Sequence, residues 1–291
     1  MKVLAIINQK GGVGKTTSCA NLGAAMALQG HKVLLVDLDP QAHLSISFDR
    51  MPEPGDPSVY TLLGGEHGFV DVMQPTGVDG LWIAPTNLDL TGAESELANE
   101  IGREGLLRTA LQKLARSEDA PDLVILDCPP SLGTLSLNAL VGADFVVIPL
   151  QAEFFALQGM AQLLDVLERV KQRLNPGIEL AGVLVGLFSQ QRNLSREVVQ
   201  ELHHHFGELV FPLQVRVNVR LAEAPSHGQT IFEYAPDSTA AEQFRVLGQE
   251  LAARMGLVEA APAEAVEAAA PAPMPAEDSA AAPPPLEHEA E

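Results

Sequence analysis

The stretch Asn8-Gln9-Lys10-Gly11-Gly12-Val13-Gly14-Lys15-Thr16-Thr17 follows an apolar run at residues 3–7 and precedes a helical pattern at residues 18–28. Glycine has no side chain to hold the backbone away from an anion, so successive N–H groups can surround a phosphate at the positive end of the following helix. In such a loop Lys15 reaches the β- and γ-phosphates, and the Thr16 hydroxyl binds Mg²⁺. The sequence thus predicts a nucleotide site. The other residues expected to contact the nucleotide here are Lys10, Gly11, Gly12, Val13, Gly14 and Thr17.

The loop departs from the usual pattern G-x-x-x-x-G-K-[ST] at its first position. That pattern would place glycine at position 9, where the chain has Gln9, and a second lysine, Lys10, comes next. Lys10 lies at the mouth of the loop, five residues before Lys15, and has no evident role inside its own subunit. A cation there can reach a nucleotide that a facing subunit holds. The alternative, a glycine-rich turn with solvated lysines, leaves the strand-loop-helix context unexplained.

Carboxylates follow two other apolar runs. Asp37 and Asp39 come after residues 33–36, and Asp127 comes after residues 123–126. The carboxyl ends of parallel strands form the edge at which α/β proteins bind ligands. Four apolar residues and an aspartate are typical of a strand that delivers a carboxylate to Mg²⁺, so Asp127 is the second metal candidate after Thr16. Asp37 and Asp39 are two residues apart and face the same way in extended backbone. Solvated or capping carboxylates are the alternative for all three.

Apolar runs alternate with helical patterns along residues 1–256. Strands buried on both faces read as continuous Val, Ile and Leu runs, and their alternation with helices implies parallel βαβ crossovers. We therefore expect an α/β fold: a three-layer, mostly parallel twisted sheet with helices on both faces. Residues 49–75 are rich in Pro, Gly and Asp and are assigned to surface loops with one short helix at most. The expected strands are residues 3–7, 33–36, 81–84, 123–126, 145–150, 180–187 and a shorter one near 209–211; the expected helices are 14–28, 104–114, 135–141, 157–174, 195–206 and 239–255.

The composition is strongly acidic. The 291 residues include 18 Lys and Arg against 38 Asp and Glu, for a net charge of −20. This excludes a globally basic nucleic-acid binder, so any contact with DNA must come from a local patch. Residues 257–291 carry acids but no Lys or Arg and are dominated by Ala and Pro, which predicts a disordered tail after a domain at residues 1–256. Two cysteines, no secretion signal and no apolar run of about 18 residues indicate a cytoplasmic protein without a membrane span.

The sequence resembles the ParA/MinD group of P-loop ATPases, whose deviant loop reads K-G-G-V-G-K-T-T, as Lys10 to Thr17 do. Residues 88–94, 149–159 and 218–228 are similar to the chromosomal, Soj-like branch of ParA. The resemblance implies the P-loop NTPase fold, ATP and Mg²⁺ as cofactors, and slow hydrolysis unless stimulated. It also implies that Lys10 and Lys15 are catalytic together with Asp39, which orients the attacking water. It places Glu153 near the partner's nucleotide and Asn218 near the base.

The same resemblance implies a biological role. It predicts an ATP-dependent homodimer that binds double-stranded DNA non-specifically, associates with the nucleoid, and drives chromosome or plasmid partition with a ParB-like partner or cargo adaptor that stimulates hydrolysis. The acidic tail replaces the basic amphipathic helix with which MinD proteins bind lipid, so no membrane partner is expected. The expected DNA-binding residues are Arg192, Arg196, Arg216 and Arg220.

Three alternatives stay open. Two of the family's arginines are displaced by one position in this chain. The four arginines can therefore also be scattered surface residues paired with Glu197, Glu201 and Glu223. A ParA-like ATPase can position a non-DNA cargo, such as a chemoreceptor cluster or another large assembly. A metabolic P-loop enzyme is the third reading.

Overall fold

The computed structural model describes residues 1–97, 100–153, 156–186 and 193–258. Short 3-10 turns lie at Arg103–Gly105, Gly207–Leu209 and Ala224–His227. In chain order the elements are β1 Lys2–Ile6, α1 Lys15–Ala27, β2 Val33–Asp37, α2 His43–Ser47, α3 Val59–Leu63, α4 Phe69–Val72, β3 Gln74–Pro75, β4 Leu81–Ala84, α5 Leu90–Glu96, α6 Leu106–Leu114, β5 Leu123–Asp127, α7 Thr134–Gly142, β6 Phe145–Gln151, α8 Ala156–Arg173, β7 Glu179–Gly186, α9 Asn193–Phe206, α10 Val219–Glu223, α11 Ile231–Tyr234 and α12 Thr239–Arg254.

These strands form one seven-stranded sheet in the order β3-β4-β2-β5-β1-β6-β7. Every neighbouring pair is parallel except β3 and β4, which run antiparallel at one edge. The predicted three-layer, mostly parallel α/β architecture is confirmed. β1 lies between β5 and β6, and its apolar residues at successive positions agree with a strand that is covered on both faces.

The sheet separates two hydrophobic cores. Along β1, Val3 and Ala5 belong to one buried cluster, whereas Leu4 and Ile6 belong to the other. The register places Asp127 opposite both Ile6 and Asp37, so β1, β5 and β2 end side by side. The loop after β1 and the carboxylates of the two neighbouring strands are therefore delivered to the same edge of the sheet.

Two sequence-based expectations about the fold are wrong. Residues 49–75 contain two short helices, α3 and α4, and the edge strand β3 instead of surface loops. Val59, Phe69 and Val72 are buried in a core there. The sequence did not predict these elements because four or five residues are too few to show a period. The strand expected near residues 209–211 is a single parallel bridge from Val210 to Val183.

The six predicted helices agree with α1, α6, α7, α8, α9 and α12, with ends that differ by a few residues. The short helices α2, α5, α10 and α11 were not predicted. Position 187, Arg192 and residues 259–291 lie outside the described residues, so the tail stays a prediction. In the part of the chain that the structure describes, no helix is long and apolar enough to cross a membrane.

Candidate nucleotide-binding site

The loop between β1 and α1 is shaped to receive an anion. Gly12 and Gly14 have φ angles of +74° and +90°, which L side chains rarely adopt. A Cβ added at either of them, or at Gly11, would meet no atom within 4 Å, so the space beside the loop is open. Gly14 precedes α1 and offers no side-chain cap, which leaves the first amides of the helix available for an anion.

The two lysines of the loop have different environments. Lys15 is only 7% exposed, and its Nζ lies 3.4 Å from the carbonyl oxygen of Lys10, to which it donates a hydrogen bond. The Lys10 side chain is 51% exposed and forms an ion pair with Glu153. This corrects the expectation that Lys10 has no partner in its own subunit. Glu153 supplies the neighbouring negative charge at the mouth of the loop.

Two amide side chains that the sequence analysis did not single out attach the loop to β6. The Nδ2 of Asn8 donates to the carbonyl of Pro149 at 2.7 Å, and its Oδ1 accepts from the Lys10 amide at 3.0 Å. The Nε2 of Gln151 donates to the carbonyl of Gly12 at 2.7 Å. The sequence signal for Asn8 is its position directly after the apolar run at residues 3–7. These bonds attach the beginning and the middle of the loop to β6.

Asp127 ends β5 with both carboxylate oxygens buried, and neither has a hydrogen-bond partner among the described residues. Burial raises the pKa of Asp127, and Asp39 adds to the rise, whereas Thr16 and Lys15 oppose it. Burying a carboxylate costs free energy, and Thr16 and Lys15 offset only part of that cost, so a cation beside Asp127 would be favourable. A carboxylate and a hydroxyl are oxygen donors of the kind that Mg²⁺ prefers. The donor set of Asp127 and Thr16 therefore fits Mg²⁺.

The neighbouring strand ends at Asp37, so Asp39 lies in the following loop and not in extended strand as expected. The carboxylate of Asp37 is fully buried and accepts hydrogen bonds from the backbone amides of Ser45 and Asp39. Burial, with a smaller contribution from Asp127, raises the pKa of Asp37. Asp39 is 7% exposed, and its carboxylate accepts from the Gln41 amide at 3.0 Å. The Asp37 carboxylate thus holds backbone amides of the following segment, whereas the Asp39 carboxylate accepts from the amide of Gln41.

A pocket of about 140 Å³ adjoins the loop on the side of α10. Asn218 precedes α10, and its Oδ1 accepts from the Arg220 amide at 2.9 Å. The structure brings Asn218 next to the phosphate loop in this pocket. Its lining residues are Gly12, Val13, Gly14, Thr17, Ser18, Pro149, Leu184, Gly186, Val215, Asn218, Leu221, Ala222 and Phe244.

The described candidate DNA-binding arginines lie in two regions: Arg196 is on α9, Arg220 is on α10, and Arg216 is in the segment before α10. Arg216 and Arg220 flank Asn218, are exposed, and form no ion pair in the described part of the chain. Arg196 is exposed on α9, and Arg192 lies outside the described residues. Of the acids proposed as alternative partners, Glu201 pairs with His205 and Glu223 accepts from the Tyr234 hydroxyl.

Comparison with known proteins identifies the family. A family model described as an AAA domain matches residues 1–180. The chain is 42% identical over 252 residues to the sporulation initiation inhibitor protein Soj of Bacillus subtilis, covering 87% of this chain and 98% of that protein. It is 46% identical over 252 residues to the chromosome-partitioning ATPase Soj of Thermus thermophilus, covering 87% and 96%.

A solved structure agrees with this relationship. The structure of cobyrinic acid a,c-diamide synthase from Mycobacterium smegmatis, with a bound ATP analogue and magnesium, superposes with a TM-score of 0.75 at 36% identity. The match covers 88% of this chain and 96% of that one. The same conclusion is supported by the fold, the open glycine loop, the carboxylate that suits a metal ion, and the relatives. The chain belongs to the Soj/ParA family and is an ATPase that uses ATP and Mg²⁺.

Proposed function

We propose that this ATPase is a nucleotide-dependent switch that dimerises around two ATP molecules, binds DNA non-specifically, and drives partition of a chromosome or plasmid. A ParB-like partner stimulates hydrolysis and thereby releases the dimer from the nucleoid. The observation that carries this proposal is the position of Lys10, a half-exposed cation at the mouth of a loop that already contains a buried lysine. Phosphoryl transfer depends mainly on positioning and charge stabilisation, so a cation supplied by a second subunit would couple hydrolysis to dimerisation.

Within each subunit the proposed roles follow the geometry of the loop. The amides of residues 11–17 and the Lys15 ammonium bind the phosphates. Thr16 and Asp127 would hold Mg²⁺, which would supply positive charge to stabilise the phosphates. Asp39 orients the attacking water. Asn218 and its pocket receive the base, and Lys10 leaves Glu153 to reach the γ-phosphate in the facing subunit.

The relatives support the partition role, because two of them are named for Soj and one of those as a chromosome-partitioning ATPase. Arg216 and Arg220 support DNA binding, since they are exposed side chains without acidic partners among the described residues. Contacts of this kind grip phosphates and do not read bases. A net charge of −20 makes the overall field repulsive to DNA, so the two arginines of one subunit bind it too weakly. A dimer doubles their number, so we expect DNA binding only from the dimer.

The experiment that tests this function is binding of the purified protein to random-sequence duplex DNA with ATP, with ADP and without nucleotide, at several salt concentrations. We expect binding only with ATP and a steep loss of affinity as salt rises. The double variant Arg216→Ala/Arg220→Ala should bind more weakly and show a shallower salt dependence. Arg245→Ala is the matched control, because Arg245 is ion-paired with Glu242 on α12.

Equal DNA binding in all three nucleotide states would contradict the switch. No binding in any state, with ATP hydrolysis intact, would favour a positioning ATPase for a non-DNA cargo. A synthase activity is a further candidate, because one structural neighbour is a cobyrinic acid a,c-diamide synthase. Adding cobyrinic acid and an ammonia donor to the ATPase assay tests it: product formation would favour the synthase, and unchanged ATP turnover would favour the switch.

A further inference from the structure

The loop that carries Asp39 is closed by one buried serine. Ser45, on α2, donates its amide at 2.8 Å and its hydroxyl at 2.7 Å to Oδ2 of Asp37. The same hydroxyl oxygen accepts a hydrogen bond from the Thr86 amide at 2.9 Å. Asp37, Ser45 and Thr86 are all 0% exposed. One hydroxyl therefore joins the end of β2 to the segment that follows β4.

The other oxygen of Asp37 holds the beginning of this loop. Its Oδ1 accepts from the Asp39 amide at 3.2 Å, and the Asp39 carbonyl accepts from the Ala42 amide at 2.8 Å. Ala42 has a φ of +54°, a left-handed conformation that costs energy for a residue with a Cβ. Such a conformation persists only where surrounding bonds over-determine it. The Asp37 carboxylate thus accepts hydrogen bonds from residues on both sides of Ala42, Asp39 before it and Ser45 after it.

We propose that Ser45 is a positioning residue for ATP hydrolysis, which fixes the backbone of Asp39 by holding the Asp37 carboxylate and the Thr86 amide at once. This inference rests on the proposed role of Asp39 as the residue that orients the attacking water. We call the hydrogen-bonded group of Asp37, Ser45 and Thr86 the clamp. Buried hydrogen bonds to a carboxylate are strong and directional, so the clamp fixes Asp39 before the nucleotide binds. Ser45 contacts Asp37 and Thr86, whereas the phosphates are bound by the loop after β1. Removing the hydroxyl should therefore slow turnover without weakening nucleotide binding.

The test compares Ser45→Ala with Ser47→Ala in the full-length chain. Ser47 is the matched control because it lies on the same helix, is 8% exposed, and donates its hydroxyl to the His43 carbonyl at 2.7 Å and not to Asp37. ATP turnover is measured at saturating ATP and Mg²⁺, affinity with a fluorescent ATP analogue, and integrity by thermal unfolding. We expect Ser45→Ala to lower turnover about 10- to 100-fold, the loss typical of a catalytic group misplaced by about 1 Å, with affinity retained. Ser47→Ala should match the wild type.

Three results would overturn the role of Ser45: unchanged turnover in Ser45→Ala, a loss of turnover matched by an equal loss of affinity, or the same loss in Ser47→Ala. The variant Asp39→Ala separates this inference from the proposed function. Normal turnover in Asp39→Ala would remove the proposed role of Asp39 itself. A slow Asp39→Ala enzyme beside a normal Ser45→Ala enzyme would remove only the clamp.

Discussion

At the mouth of the phosphate loop, Lys10 pairs with Glu153 within the same subunit, although we propose that it acts in the facing one. Both side chains are about half exposed. An exposed ion pair of this kind contributes about 0–1 kcal/mol. Lys10 can therefore exchange the carboxylate of Glu153 for a γ-phosphate at little cost in free energy. The pair therefore keeps Lys10 at the loop in the absence of a partner and does not prevent it from leaving.

The variant Lys10→Ala should keep ATP affinity and thermal stability near wild type, because Lys15 and the loop amides remain. It should lose the ATP-dependent dimer on gel filtration, and its turnover should fall by about 100-fold or more, as when a charge-stabilising cation is removed from a phosphoryl-transfer site. Glu153→Gln is the control, since it removes the same ion pair but leaves the lysine. A normal ATP-dependent dimer in Lys10→Ala would refute the role of Lys10.

The variant Asp127→Asn should separate stability from function. Asparagine removes a buried charge that has no hydrogen-bond partner among the described residues, so the nucleotide-free protein should become more stable by about 1–2 kcal/mol. ATP affinity in Mg²⁺ should fall to the level measured in EDTA, because the amide holds the metal poorly. Chemical unfolding and nucleotide titration check the two effects. Loss of stability together with unchanged Mg²⁺ dependence would show that Asp127 is a structural residue only.

At the scale of elements, the long strands and helices were predictable because their patterns are longer than one period. Leu123–Asp127 reads as a continuous apolar run ending in a carboxylate, and it is a fully buried central strand. The helices α3 and α4 were not predictable, because four or five residues in a Pro- and Gly-rich stretch do not show a period. The clamp at Ser45 was also hidden, since its partners, Asp37 and Thr86, are brought together only by the order of the strands.

Close packing at β7 gives a prediction at this scale. A Cβ on Gly182 would lie 2.6 Å from a ring carbon of Phe211 and 2.9 Å from the carbonyl oxygen of Leu209. Gly182→Ala should therefore destabilise the protein by about 1–3 kcal/mol, the usual effect of overpacking a core. Gly159→Ala on α8 is the matched control, since a Cβ there meets nothing within 4 Å and should stabilise the helix by up to about 1 kcal/mol. Denaturant unfolding compares them, and equal stability of both variants would contradict this packing argument.

At the scale of the whole molecule, we predict that residues 1–256 carry both the fold and the ATPase. The two cores lie on opposite faces of one sheet, and their buried members range from Val3 to Met255. Truncation after Val258 should leave the unfolding temperature and the ATP turnover unchanged, because it removes a segment rich in Ala, Pro and Glu that cannot build a core. A lower unfolding temperature in calorimetry would show that the tail packs on the domain.

The switch depends on whether the active site is completed by a second copy of the chain. Mixing two inactive variants, Lys10→Ala and Asp39→Ala, tests this directly through the rate of ATP hydrolysis. In the mixed dimer, the subunit that keeps Asp39 receives Lys10 from its partner. We predict that the mixture hydrolyses ATP although each variant alone does not. A mixture as inactive as its components, with dimers present by gel filtration, would show that Lys10 and Asp39 act within one subunit and would contradict the account.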